Sequence, residues 1–205
     1  MLGEAGDVLA GMTAKTKRWA MKCKEKDYFA ALYQVARVVN GSLDPCQVLE
    51  ETVRSLTKAL DVKACSVKVL DTRRKTLSLG ALHGLPDTCI CKGPVLVTEC
   101  KIDRKALKGK TIHVEDALSD EDLQPGTRAA EVGSLLAVPL KVGNKSIGVL
   151  KLYTSRVREF DDQEVKFIEA VANLSAIALE NALLHEALQT DYDLTVAHKY
   201  RLDDN

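Results

Sequence analysis

Three cysteines fall within the thirteen residues of TCICKGPVLVTEC, Thr88 to Cys100. Thiols so spaced could hold a metal, exchange as a disulfide, touch a ligand or fill space. His83 precedes them and His113 follows, so imidazole could join thiolate in a zinc or iron site. The spacing fits such a site poorly. Structural zinc sites begin with two to four residues between paired cysteines, whereas only Ile90 separates Cys89 from Cys91. Reversible oxidation could join Cys89 to Cys91 or to Cys100; a disulfide across one residue is strained, which favours the longer pairing. The plainest reading makes Cys89 and Cys91 small, partly buried side chains. His83 and His113 read first as hydrogen-bonded structural histidines. Arg128 could pair with an anionic ligand, or with a surface acid only.

The chain that must position these groups has 205 residues, enough for one generous domain with flanking helices. Basic and acidic residues balance at 29 each, which argues against nucleic acid as the main partner. No run of eighteen apolar residues occurs, so no membrane partner is expected. The start, MLGEAGDVLAGM, carries acids where a secretion signal carries lysines. A cytoplasmic protein is expected. The basic stretch KTKRWAMKCKEK, Lys15 to Lys26, reads as a solvated helix leading into a dimer.

Apolar positions Phe29, Leu32, Val35, Ala36 and Val39 recur at helical spacing. Asp44 and Pro45 then open a second helix in cap-then-proline order, with Val48, Leu49, Val53, Leu56 and Leu60 on one face. KACSVKVLD and KTLSLGALHG alternate about a charged turn and predict an antiparallel hairpin. From Gly84 to about Val132 the pattern is irregular, with a short helix at RKALKG and a short strand at KTIHV. SLLAVPLKVGNKSIGVLKLY is a second hairpin about Gly143-Asn144. In its second strand Gly148, Leu150 and Leu152 share one face; Ile147, Val149, Lys151 and Tyr153 share the other. Pro139 in a strand apolar on both faces requires a bulge or an unpaired position. A long helix follows from Glu159 to Leu188, apolar over more of its circumference than one sheet can cover. DYDLTVAHKYRLDDN reads as a loose polar tail. The expected boundaries are an extension at 1–26, one domain at 27–188 and a tail at 189–205. Helices at both ends of the sequence would cover one face of the sheet, and the irregular region the other. A sheet roofed by loops is a natural small-molecule pocket.

From about Tyr28 to Leu188 the chain resembles the GAF domain family, small-molecule sensory modules of signalling proteins. The resemblance is carried by GSLLAVPLKVGNKSIGVLKLY, by REFDDQEVKFIEAVANLSAIALENALL and by ALHGLP. It implies an α+β fold: an antiparallel sheet of five or six strands, with the N-terminal helix pair and long C-terminal helix on one face and a loop-roofed pocket on the other. It implies a homodimer formed through the first and last helices, signal transduction to a separate output protein, and no catalytic residues. Relatives that bind cyclic GMP often carry an Asn-Lys…Phe…Asp-Glu signature. This chain keeps Phe160 but has Thr154-Ser155 and Glu164-Val165 at the other positions, so that ligand is not implied. The residues specify no cofactor. Pocket candidates are His83, Cys89, Cys91, Cys100, His113, Arg128, Lys151 and Tyr153. The resemblance adds two further readings for the cysteines: thioether attachment of a bilin, and thiol-dependent reduction of free methionine sulfoxide. The contrasting hypothesis to a sensor is therefore a thiol redox enzyme, or a redox or metal sensor, built on Cys89, Cys91 and Cys100.

Overall fold

A computed structural model describes residues 28–38, 41–86, 93–120, 122 and 130–203, with side chains described through residue 197. Cys89, Cys91, Arg128 and the basic stretch at 15–26 lie outside the described residues.

The two alternating stretches pair as expected. β1 (Ala64–Asp71) and β2 (Thr76–His83) form one antiparallel hairpin. β5 (Leu135–Val142) and β6 (Lys145–Tyr153) form the other. Gly143 turns the second with φ +57°, a conformation a tight hairpin needs and glycine adopts without strain. β6 pairs back onto β1, joining the hairpins. Two short strands extend the edges: β3 (Val95–Leu96) beside β2 and β4 (Ile112–Val114) beside β5. The six-stranded antiparallel order is β3-β2-β1-β6-β5-β4. β3 and the 3₁₀ turn after it (Val97–Glu99) escape sequence reading, since two or three residues carry no period.

Pro139 is accommodated by position. β4 covers β5 only from Leu135 to Ala137, so Pro139 lies where β5 has become the sheet edge. A bulge falls two pairs away: Leu140 pairs with Gly148 and Lys141 with Ser146, leaving Ile147 unpaired. Ile147 consequently packs against the helix-side core, contrary to the simple alternation that put it with Val149.

α1 (residues 28–38), α2 (Pro45–Leu60) and α4 (Asp162–Asp203) lie on one side of the sheet. Asp44 caps α2 by accepting from the Cys46 N–H at 2.9 Å. Leu49, Val53 and Leu56 of α2 meet Ile168, Val171 and Leu179 of α4 over Val67, Val138, Leu150 and Leu152 of the sheet. A buried polar contact crosses this layer, Ser175 Oγ to Thr52 Oγ1 at 2.9 Å. α1 docks through Val35 and through Tyr28, which stacks on Phe167 at 4.9 Å. Phe29, expected on the buried stripe, is instead 73% exposed. Cys46 is exposed at the start of α2.

α4 opens with a reciprocal cap. Asp161 Oδ1 accepts from the N–H groups of Gln163 and Glu164, and Glu164 Oε2 accepts from the Asp161 N–H. The helix continues to Asp203 instead of ending near Leu188, so the polar stretch read as a loose tail is helical. α4 is long and apolar enough to cross a membrane by length and composition, but half of that apolar window is buried within the domain, as in a core helix.

The other face of the sheet carries a separate apolar layer. α3 (Lys101–Leu107) lies over β4, β5 and β6. Its Ile102 and Ala106 pack with Val114, Leu135, Ala137, Val149 and Tyr153. Connections and one short helix thus form a roof.

Candidate functional site

Between roof and sheet lies a buried polar cluster. Alternation along β1 sends Cys65, Val67 and Val69 toward the helices and Ser66 and Lys68 toward the roof. In β6 it sends Lys151 and Tyr153 the same way. Ser66 is directly opposite Lys151, and Lys68 is opposite Val149, so the two lysines are diagonal neighbours on adjacent strands. α3 supplies their counterion. Asp103 lies next to Ile102 and one turn before Ala106, on the helix's inward surface, and is fully buried. Lys68 Nζ is 3.2 Å from Asp103 Oδ2, and Lys151 Nζ is 2.5 Å from Oδ1. Burial pushes the Asp103 carboxyl up, but Lys151 and Lys68 outweigh it and hold the group below its ordinary value. The Lys151 contact is a short, charge-assisted ion pair. Each carboxylate oxygen thus faces one ammonium, Oδ1 that of Lys151 and Oδ2 that of Lys68.

Two hydroxyls adjoin this triad. Ser66 Oγ and Tyr153 Oη are 3.1 Å apart and both residues are buried. Burial pushes the Tyr153 phenol up, so it remains a neutral donor. Cys100, at the head of α3, is 2% exposed. Burial raises its thiol pKa, with Lys68 and Lys151 opposing and Asp103 assisting. That is the reverse of an activated nucleophile. The buried Cys65 thiol, on the helix side, is also pushed up.

The outward surface of α3 is basic and is clamped from above. Lys101 and Lys105, one turn apart, reach Asp122 at 2.9 and 2.8 Å. They hold the Asp122 carboxyl down at about 2. The roof helix thus sits between two ionic contacts, Asp103 on the sheet lysines below and its own lysines on Asp122 above.

Of the residues chosen from sequence, the structure brings together Cys100, Lys151 and Tyr153. The two histidines are elsewhere. His83 is in register with Cys65 on the helix side, where it lines a groove of about 410 Å³ with Glu50 and Arg54 of α2. His113 pairs in register with Leu136, also helix-side, and meets Phe160 edge-on at 5.5 Å; its buried Nε2 has no hydrogen-bond partner among the described residues. Among the described residues, no three His, Cys, Asp or Glu side chains converge as a metal site requires. Sequence reading missed Ser66, Lys68 and Asp103. Their signals were present: two polar side chains on one face of an otherwise apolar strand, and a single acid in the basic run KIDRKALKGK.

A second polar network ties the roof to the start of α4. Ser134 Oγ donates to the Glu115 carbonyl just after β4 and accepts from the Arg158 N–H. The Arg158 guanidinium stacks over Phe160 at 4.3 Å and donates to both Glu164 oxygens, at 3.0 and 3.1 Å. Tyr28 of α1 donates to the same carboxylate at 3.4 Å. Thr111, just before β4, donates to Glu169 of α4 at 2.5 Å. Gly133 makes the close packing here possible, since a β-carbon would lie 2.1 Å from the Arg156 carbonyl carbon.

A six-stranded antiparallel sheet with a helical layer on one face and a roofed polar cluster on the other is the architecture expected of a sensory-domain fold. The family model described as GAF domain matches residues 44–179, and the chain belongs to the GAF domain family. A curated relative, the formate hydrogenlyase transcriptional activator FhlA of Escherichia coli (strain K12), is 23% identical over 177 residues, covering 83% of this chain and 26% of that protein. The chain thus spans about a quarter of the length of the curated relatives it matches. Among solved structures, the GAF domain of a phosphoenolpyruvate-protein phosphotransferase (ptsP) from Coxiella burnetii superposes with TM-score 0.71 at 22% identity, covering 79% of this chain and 98% of that one. Free methionine-R-sulfoxide reductase from Neisseria meningitidis superposes with TM-score 0.66 at 23% identity, covering 77% and 91%. At these identities the structural likeness establishes the fold.

Proposed function

We propose that this chain is the sensory domain of a cytoplasmic signalling protein, binding a small-molecule effector between the roof and the β1–β6 face. The observation that carries the reading is the buried charge cluster. Ionic groups in an apolar layer contribute little net stability, because desolvation offsets their attraction. Three of them under a short roof helix are better explained as recognition chemistry. Effector binding biases the roof between two positions, and the Glu115–Ser134–Arg158–Glu164 chain with the Thr111–Glu169 contact offers a physical route to α4. α4 then hands the bias to a second copy of the chain or to a separate output protein. Support for helix pairing comes from exposed apolar side chains on α4 (Ile177, Leu184, Leu188) and on α1 (Phe29).

Native mass spectrometry of the purified protein, with metal analysis and a melting-temperature screen of small metabolites, tests this. A copurified molecule, or a compound that raises the melting temperature and is lost on changing Lys151, is the expected result. A folded protein that holds nothing and responds to nothing overturns the reading. A monomer by light scattering overturns the dimer route.

The thiol-enzyme reading draws support from the fold shared with the Neisseria reductase. Since the Cys100 thiol is pushed up, that reading needs its nucleophile at Cys89 or Cys91. Thiol titration decides: an enzyme shows one cysteine reacting as a thiolate below pH 7, a sensor none.

A further inference from the structure

The cluster beneath α3 has the chemistry of a carboxylate-binding site already filled by the chain itself. Two ammonium groups converge from neighbouring strands on one carboxylate, and the side chains of Lys68, Lys151 and Asp103 are 13%, 6% and 0% exposed. The lysines stand on β1 and β6, the two central strands of the sheet. The carboxylate stands on α3, a seven-residue helix of the roof. Each oxygen of the buried Asp103 carboxylate faces one of these ammonium groups, Oδ1 that of Lys151 and Oδ2 that of Lys68. A further donor is at hand. The Ser66 and Tyr153 hydroxyls carry two protons and use one in their mutual bond, leaving one for another acceptor. A free ligand, unconstrained by a helix backbone, could align with all three donors.

We propose that the roofed face recognises a small carboxylate, that Lys68 and Lys151 are its anion-binding residues, and that Asp103 is an internal stand-in that holds α3 down when the ligand is absent. This rests on the sensor reading above and names its ligand class and switch. The exchange is one carboxylate for another, so the lysines keep a counterion throughout. Asp103 then leaves the sheet, while Lys101 and Lys105 keep their grip on Asp122, so α3 and Asp122 lift together. Because Asp103 is tethered beside the site, it lowers the apparent affinity of the wild-type protein for any competing anion.

The probe is sodium formate, the size of the group that Asp103→Ala removes. Thermal unfolding and calorimetric titration are read against sodium chloride at equal ionic strength. Asp103→Ala is expected to regain melting temperature saturably with formate and to bind it at least ten-fold more tightly than wild type. Asp103→Asn, closer in shape, covers the case in which the alanine variant does not fold, and is expected to bind formate more tightly than wild type. Adding Lys151→Met to either variant is expected to abolish the response. No formate response beyond chloride, a response that survives Lys151→Met, or a response to inorganic phosphate but not to formate would each overturn the proposal. The two levels separate cleanly. If formate fails but a neutral effector shifts the wild-type melting temperature, the carboxylate assignment falls and the sensor reading stands. If formate rescues the variants but no effector of any kind moves the wild type, it is the sensor reading that falls.

Discussion

Replacing Lys151 by methionine removes the nearer ammonium from a fully buried carboxylate while keeping an unbranched apolar stem up to the ε position. At an effective dielectric of about 20, charges 2.5 Å apart attract by roughly 6–7 kcal/mol. Holding that ammonium in the roofed layer costs several kcal/mol of desolvation, which methionine avoids. Lys68 remains 3.2 Å from the other oxygen, so Asp103 is not left alone. The expected net loss is about 3 kcal/mol, at the low end for breaking a buried pair. Adding Asp103→Leu to Lys151→Met removes the stranded charge, and Lys68, the most exposed of the three, can reach toward water. The double variant should therefore lose under about 1.5 kcal/mol, less than the single. Urea unfolding at pH 7, followed by circular dichroism, measures all three proteins. A Lys151→Met variant within about 1 kcal/mol of wild type, or a double variant less stable than the single, would refute this account of the cluster.

Because the Asp103 carboxyl is held below its ordinary value of 3.8, its contribution is present above that pH and fades as pH falls through the folded-state value. The stability gap between wild type and Asp103→Asn should accordingly be widest near neutrality and shrink below about pH 4 in urea titrations, with Lys68, Lys151, Cys100 and Tyr153 as the facing groups. Asp161→Ala unties the cap of α4 and should cost about 1 kcal/mol, a melting-temperature fall of about 2–4 °C, of which Asp161→Asn restores most. Gly133→Ala forces backbone apart at the β6–α4 connection and should cost at least about 3 kcal/mol by denaturant unfolding. Ser175→Ala leaves Thr52 Oγ1 without its donor in a dry helix interface and should cost about 1 kcal/mol in the same assay.

Local physics carried much of the fold into plain view. The helix positions Val48, Leu49, Val53 and Leu56, the two alternating hairpins and the Asp44-Pro45 start are short-range patterns, and each became the element it predicts because packing agreed with period. Period also placed Lys151 and Tyr153 on the roofed face. It failed where tertiary context broke the rule. Phe29 satisfies helical spacing yet faces outward, because Tyr28 takes the seat on Phe167. Ile147 crosses to the helix side through a bulge. The polar end of the chain continues α4 through Asp203, where composition alone reads as a tail.

The site divides along the same line. That Lys68 and Lys151 are polar side chains on apolar strands is written in the order of the residues. That they stand side by side is decided by the pairing of β1 with β6, strands more than seventy positions apart, which no local period encodes. Asp103 lies between them in sequence, and only the fold of the roof brings its carboxylate into a layer where water no longer screens it. Charge type is a property of each residue by itself; what that charge is worth, and to whom it is offered, depends on neighbours supplied by distant parts of the chain.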